Sequence, residues 1–157
     1  MKYASTLIAV TDMQRTIRFY GEVLGIKFAN DFGANVIFEG GFCAQTLDTW
    51  KDFINKDKED IILGNAAAEI YFEEINFDSF IEKLYARSDI IYVHKVIEHS
   101  WGQRAVRFYD PDMHIIEVGE NIGSVCRRFM KEGMSIAQTA KRMDVSEDYV
   151  VSSLENK

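Results

Sequence analysis

The 157-residue chain has one proline, two cysteines and no long hydrophobic run, and it is poor in positive charge. Each scarcity excludes something. Cys43 and Cys126 are far apart and belong to no paired motif, which argues against a disulfide framework and makes a reducing cytoplasmic compartment the expectation. The apolar runs, such as that around Ile90-Ile91-Tyr92-Val93, fall far short of the roughly 18 residues of a membrane span, so no membrane partner is expected. The opening residues Met1 to Thr6 lack the basic segment, apolar stretch and cleavage site of a secretory signal. Lys and Arg total 18 against 25 Asp and Glu, and the net charge of −7 repels phosphate backbones, which makes nucleic acid an unexpected partner. The charge is uneven: residues 121–157 carry six basic and five acidic groups, so the deficit belongs to the first 120 residues.

A hydrophobic content of 47% with 27% charged residues excludes intrinsic disorder. The patterning reads as an α+β chain with an internal repeat. Lys2 to Val10 has the composition of a strand, and Thr11 or Asp12 can cap a helix carrying Met13, Ile17, Tyr20 and Leu24 at helical spacing, stopped by Gly25. Ile26–Asn30, Val36–Glu39 and Cys43–Asp48 follow as short strands, parted by turns at Asp31-Phe32-Gly33 and Gly40-Gly41. After a polar stretch from Thr49 to Asn65 the order returns: strand Ala68–Glu74, a helix capped by Asn76 with Phe77, Phe80, Ile81 and Leu84 inward, then strands Ile90–Ile97, Gln103–Tyr109 and His114–Gly119. Pro111 falls in the turn Asp110-Pro111-Asp112-Met113, where a fixed φ is useful. A shift of 64 residues lays Leu7 on Tyr71, Asp12 on Asn76, Ile17 on Ile81 and Ile26 on Ile90.

Two tandem βαβββ modules, about 1–48 and 68–120, are therefore expected within a domain of residues 1–120, their strands forming a curved, barrel-like sheet around a shared cavity. Alternation along the strands groups Tyr3, Ser5, Leu7 and Ala9; Cys43, Gln45 and Leu47; Glu69, Tyr71 and Glu73; and Ile115 with Glu117. Glu69 and Glu117 stand out, because carboxylates among apolar neighbours are costly to bury unless paired or coordinated. Either they pair with Arg104 or Arg107 or reach water, or they serve a ligand, with Glu117 as general base if the chain is an enzyme. His94, His99 and His114 have no ligand spacing and read as surface or strand residues, and Cys43 reads as a small buried residue.

Val10-Thr11-Asp12-Met13, Arg18-Phe19-Tyr20 and Val23-Leu24-Gly25, with Trp101-Gly102-Gln103-Arg104, Phe108-Tyr109-Asp110-Pro111-Asp112 and His114-Ile115-Ile116-Glu117, resemble the vicinal oxygen chelate superfamily of glyoxalases, bleomycin-resistance proteins and extradiol dioxygenases. The resemblance covers about residues 1–120 and implies paired βαβββ modules, a small-molecule ligand and a homodimer. It places Ser5, Gln45, Glu69 and Glu117 at the positions of the family's four metal ligands, and Trp101 and Arg104 beside the cavity. Ser5 and Glu69 stand where histidine is usual, and an oxygen-only set would suit Mg²⁺ or Mn²⁺ better than Zn²⁺ or Ni²⁺. The reading is a small organic ligand held by Ser5, Gln45, Glu69, Tyr71, Trp101, Arg104 and Glu117 without the usual tight metal site. The alternative is a divalent-metal-dependent lyase or isomerase of glyoxalase I type.

Residues 121–157 exceed the two modules. Val125, Phe129 and Met130 form an apolar stripe ending at Gly133, Ser135 can cap a helix with Ile136, Ala140 and Met143, and Ser146 another with Val150 and Leu154. The spacing resembles a helix-turn-helix, which gives a second alternative, a ligand-sensing DNA-binding regulator. The last helix, however, opens on Glu147-Asp148 and has no basic residue where phosphates and base edges would lie, which favours a helical cap.

Overall fold

A computed structural model describes residues 1–155. The chain separates into two compact units, one of residues 1–68 with 109–114, the other of residues 69–108 with the chain from 115 onward. Each contains one four-stranded sheet, open at its edges.

In the first unit, β1 (Thr6–Val10), α1 (Met13–Leu24), β2 (Phe28–Asp31), β3 (Asn35–Phe38) and β4 (Phe42–Thr46) form the βαβββ order. The sheet runs β1-β4-β3-β2, with β1 parallel to β4. Asp12 starts α1 by accepting from the Arg15 amide, and Gly25, at φ +69°, ends it. Tyr20 is wholly buried and its ring lies 5.1 Å from those of both Phe38 and Phe42, which stack on each other. Two expectations are corrected. β1 begins at Thr6, not Lys2, because its parallel partner begins at Phe42, after the positive-φ pair Gly40-Gly41. Tyr3 and Ser5 therefore precede the strand. Leu47 is not a strand residue: it opens α2 (Leu47–Phe53), and a 3-10 turn follows at Lys58–Asp60, so the polar stretch is partly helical. Leu47, Trp50 and Ile54 stand at the i, i+3, i+7 spacing of a helix, a signal divided when Cys43–Asp48 is read as one strand.

The Pro111 turn is held by two buried carboxylates. Asp110 accepts from the Tyr20 hydroxyl, from the amides of Asp112 and His114 and pairs with the His114 ring, while Asp112 accepts from the Thr11 amide and hydroxyl and from Arg15. These bonds tie the turn to the start of α1 and account for its place in the first unit.

The second unit repeats the order as β5 (Glu69–Glu74), α3 (Phe77–Tyr85), β6 (Tyr92–Glu98), β7 (Arg104–Tyr109) and β8 (Ile115–Glu120), arranged β5-β8-β7-β6. Tyr71 lies opposite Glu117 in the parallel β5–β8 pair. Val106, Phe108, Ile116 and Val118 are buried with Phe77 and Leu84 of α3. Asn76 precedes α3 but makes no side-chain cap; the Glu74 carboxylate accepts from its amide instead.

The three helices expected after the modules are present: α4 (Ile122–Lys131), α5 (Ile136–Met143) and α6 (Glu147–Glu155). Ser135 and Gln138 form a reciprocal capping box, and the Ser146 hydroxyl accepts from the Tyr149 amide. Val125, Cys126, Phe129, Ala140, Met143 and Val150 make a small core of their own, whereas Met130 is exposed. The helices are anchored to the loop between β6 and β7. Arg128 donates to the Gly102 carbonyl at 2.6 Å, Arg142 bonds the Ser100 carbonyl and Glu98, and a β-carbon at Gly102 would overlap the Phe129 ring.

Candidate functional site

Strand alternation divides the second sheet into a face covered by α3 and an opposite face that carries polar groups. On that opposite face β5 presents Glu69, Tyr71 and Glu73, and β8 presents Glu117 and Gly119. Arg107 of β7 lies at the centre. Its Nε donates to Glu69 at 2.8 Å, a terminal nitrogen pairs with Glu117, and the other lies 3.3 Å from Nε2 of His94. His94 Nδ1 lies 2.8 Å from the Lys95 carbonyl, a contact in which Nδ1 donates. The Glu117 side chain is only 7% exposed, so the pairing answers the cost of burying its charge.

A second network lies beside it. Gln103 donates to the Tyr71 hydroxyl at 2.8 Å and to the Glu120 carbonyl at 2.9 Å, and the Tyr71 hydroxyl donates to Glu73 at 3.0 Å. Trp101 Nε1 donates to the Gln103 side-chain oxygen, and the Trp101 ring stacks on His99 at 4.3 Å. Gly119 leaves the room: a β-carbon there would lie 2.8 Å from the Gln103 amide and 3.0 Å from the Tyr71 hydroxyl. Burial and the Glu73 charge push the Tyr71 phenol up to about 12, outweighing the Gln103 bond that lowers it. Tyr71 therefore stays protonated at neutral pH, with its ring about half exposed. Burial and the Arg107 charge lower the affinity of His99 for a proton.

The sequence-predicted residues divide among three places. Glu69, Tyr71 and Glu117 share the polar face, and Trp101 joins them through Gln103. Arg104 faces α3, where it bonds Glu120 and Asp78 and lies over the Phe77 ring. Ser5 and Gln45 belong to the first unit. The Ser5 hydroxyl bonds the Gly41 carbonyl and lies 3.0 Å from Cys43 Sγ, while buried Gln45 accepts from Asn35 and donates to Thr49. The sequence reading named Arg107 as a possible carboxylate partner but assigned no role to Gln103, His94 or His99. Continuing the alternation along β7 from Gln103 through Ala105 to Arg107 would have placed two of these four on one face.

Ser5, Gln45, Glu69 and Glu117, the positions that the resemblance implies as metal ligands, are poorly disposed to hold a divalent cation. Glu69 and Glu117 are both engaged by Arg107, so a guanidinium stands where the carboxylates would meet a metal. The Gln45 oxygen is used by Asn35, and Ser5 is a neutral hydroxyl. Among the described residues no three His, Cys, Asp or Glu side chains are grouped as metal ligands. This donor set does not fit the metal of the glyoxalase-type enzymes.

The profile of the Glyoxalase-like domain family matches residues 3–123, and the chain belongs to that family. Among solved structures it is similar to a protein of unknown function from Agrobacterium tumefaciens str. C58, at 33% identity over 76% of this chain and 94% of that one, with a TM-score of 0.70. It also shares its fold with a glyoxalase/bleomycin resistance protein/dioxygenase from Nocardioides, at 16% identity, TM-score 0.61 and coverage of 76% and 83%. A glyoxalase-related enzyme from Fulvimarina pelagi compares at 17%, 0.63, 76% and 88%. No curated protein matches the chain. The family profile stops at the start of α4, which leaves α5 and α6 outside it.

Proposed function

We propose that this member of the Glyoxalase-like domain family binds a small organic molecule on the polar face of its second sheet, and that it does so without a tightly held divalent metal. The carrying observation is Arg107, which links Glu69 and Glu117 and so uses the carboxylates a metal would need. The remaining groups suit an organic ligand. Tyr71 offers a hydroxyl and an exposed ring edge, and the Trp101–His99 stack offers an aromatic surface held in place through Gln103. With Glu69, Glu73 and Glu117 nearby and one guanidinium among them, the face favours a neutral or cationic aromatic ligand over an anion. Glu117 would have to leave Arg107 to act as a base, which counts against the lyase or isomerase reading.

The acidic start of α6 supports a structural role for the tail over a DNA-reading one. A homodimer in a reducing compartment completes the proposal, supported by the two buried free cysteines for the compartment and by family resemblance for the dimer. Thermal-shift screening with aromatic amines and amides, followed by calorimetry on the hits, tests the reading. A hit whose binding weakens in Tyr71→Phe and Trp101→Ala is expected; a hit insensitive to both would place the ligand elsewhere.

A further inference from the structure

The chain is acidic, yet one cleft of about 450 Å³ in the second unit is lined by more cations than anions. It lies between the start of α3 and the exposed side of α4. Arg104, Arg127, Arg128 and Lys131 reach it, against Asp78 and Glu120. Glu120 is shared by Arg104 and Arg128, and Asp78 is taken by Arg104. That leaves the other two. Among the described residues Arg127 makes a hydrogen bond only to the Ser124 hydroxyl, at 3.2 Å, and Lys131 has no ion pair. Among the described residues, two cations four residues apart on α4 thus face one cleft without counter-charges, an arrangement that costs free energy unless an anion offsets it.

The opposite wall adds donors. The first-turn amides of α3 have no intrahelical acceptors, and Asn76 supplies no side-chain cap to them. Ser79 of that turn also lines the cleft. Guanidinium, ammonium, hydroxyl and backbone donors converging on one volume match a compact group with several acceptor oxygens and more than one negative charge. We propose that this cleft binds a phosphate dianion, either free or carried by a small phosphomonoester, at a site separate from the polar face of the sheet.

Calorimetry on the full chain, at ionic strength held constant with sodium chloride, tests this with inorganic phosphate, glycerol 3-phosphate and glycerol as probes. Saturable one-site binding of glycerol 3-phosphate and none of glycerol is expected; saturation by inorganic phosphate alone would support the site with free phosphate as its ligand. Arg127→Ala with Lys131→Ala should weaken binding by about tenfold or more, as expected for losing two charge-assisted contacts. Arg127→Lys with Lys131→Arg should largely retain it. All four substitutions are at exposed positions, and circular dichroism verifies that the variants fold. No saturable heat from either phosphate probe, or equal affinity in the double-alanine variant, would overturn the proposal.

Discussion

Arg107 reaches Glu69 on β5 and Glu117 on β8, so one guanidinium spans two neighbouring strands of the second sheet. The resemblance to the vicinal oxygen chelate superfamily implies metal-ligand positions at these two carboxylates, and Arg107 supplies a covalently tethered cation beside both. The arrangement has consequences for stability and for binding.

Removing the guanidinium leaves Glu117 buried and unpaired. Arg107→Met is expected to cost about 3 kcal/mol, the scale for breaking a buried ion pair from one side. Urea denaturation at pH 7 measures it, and Arg107→Met with Glu117→Gln should recover part of the loss. Equal destabilisation in both variants would mean that the guanidinium acts by packing alone.

Tyr71 should show its environment at alkaline pH. Its folded-state value of about 12 lies above the ordinary 10.0, so the unfolded chain gives up this proton first. The contribution is fully present below pH 10 and is lost as pH rises from about 10 towards 12. Tyr20, pushed up by burial and by Asp110, acts in the same direction. Tyr71→Phe should cost about 1 kcal/mol at pH 7 and flatten the alkaline decline. Denaturation midpoints between pH 8 and 11, with tyrosinate absorbance, report both effects.

Glu120 joins the sheet to α4 through Arg104 and Arg128. Burial works to raise its carboxyl, but the two guanidinium groups outweigh it and hold the proton affinity below the ordinary 4.5. Its stabilisation is therefore present above about pH 4.5 and lost as pH falls through the lowered folded-state value. Glu120→Gln should make the protein less stable at pH 7, by about 2 kcal/mol for a buried charged partner. The difference from the unsubstituted chain should shrink on acidification, as acid titration followed by circular dichroism will show.

Gly102 fixes the helical tail to the β6–β7 loop. It sits at φ +90°, and a β-carbon would strike Phe129. Gly102→Ala should cost about 2 kcal/mol or more through strain and overlap together. The loss should concentrate in the docking of α4 to α6, read as faster amide exchange there than in β7 and β8. Phe129→Ala in the same chain should relieve the overlap but not the backbone strain.

The paired modules were legible in the sequence because caps, glycine stops and strand alternation are local signals, and Asp12 and Gly25 act as those signals require; so does Ser135 in the helical tail. The start of β1 was not, since it depends on where a distant partner strand begins. Nor was α2, because Leu47 reads as part of the preceding strand and its helical spacing with Trp50 is thereby divided. At the site, alternation found Glu69, Tyr71 and Glu117 as one face. Choosing between Arg104 and Arg107 as their partner required knowing which face of β7 meets α3, information that lies in Phe77 and Asp78 and not in the strand itself.

Arg107 is proposed to take the place of a metal between Glu69 and Glu117, and calorimetric titration of the metal-stripped chain with Mn²⁺, Ni²⁺ and Zn²⁺ decides it. No saturable stoichiometric binding to the unsubstituted chain is expected; saturable binding that disappears in Glu117→Ala would contradict the proposal.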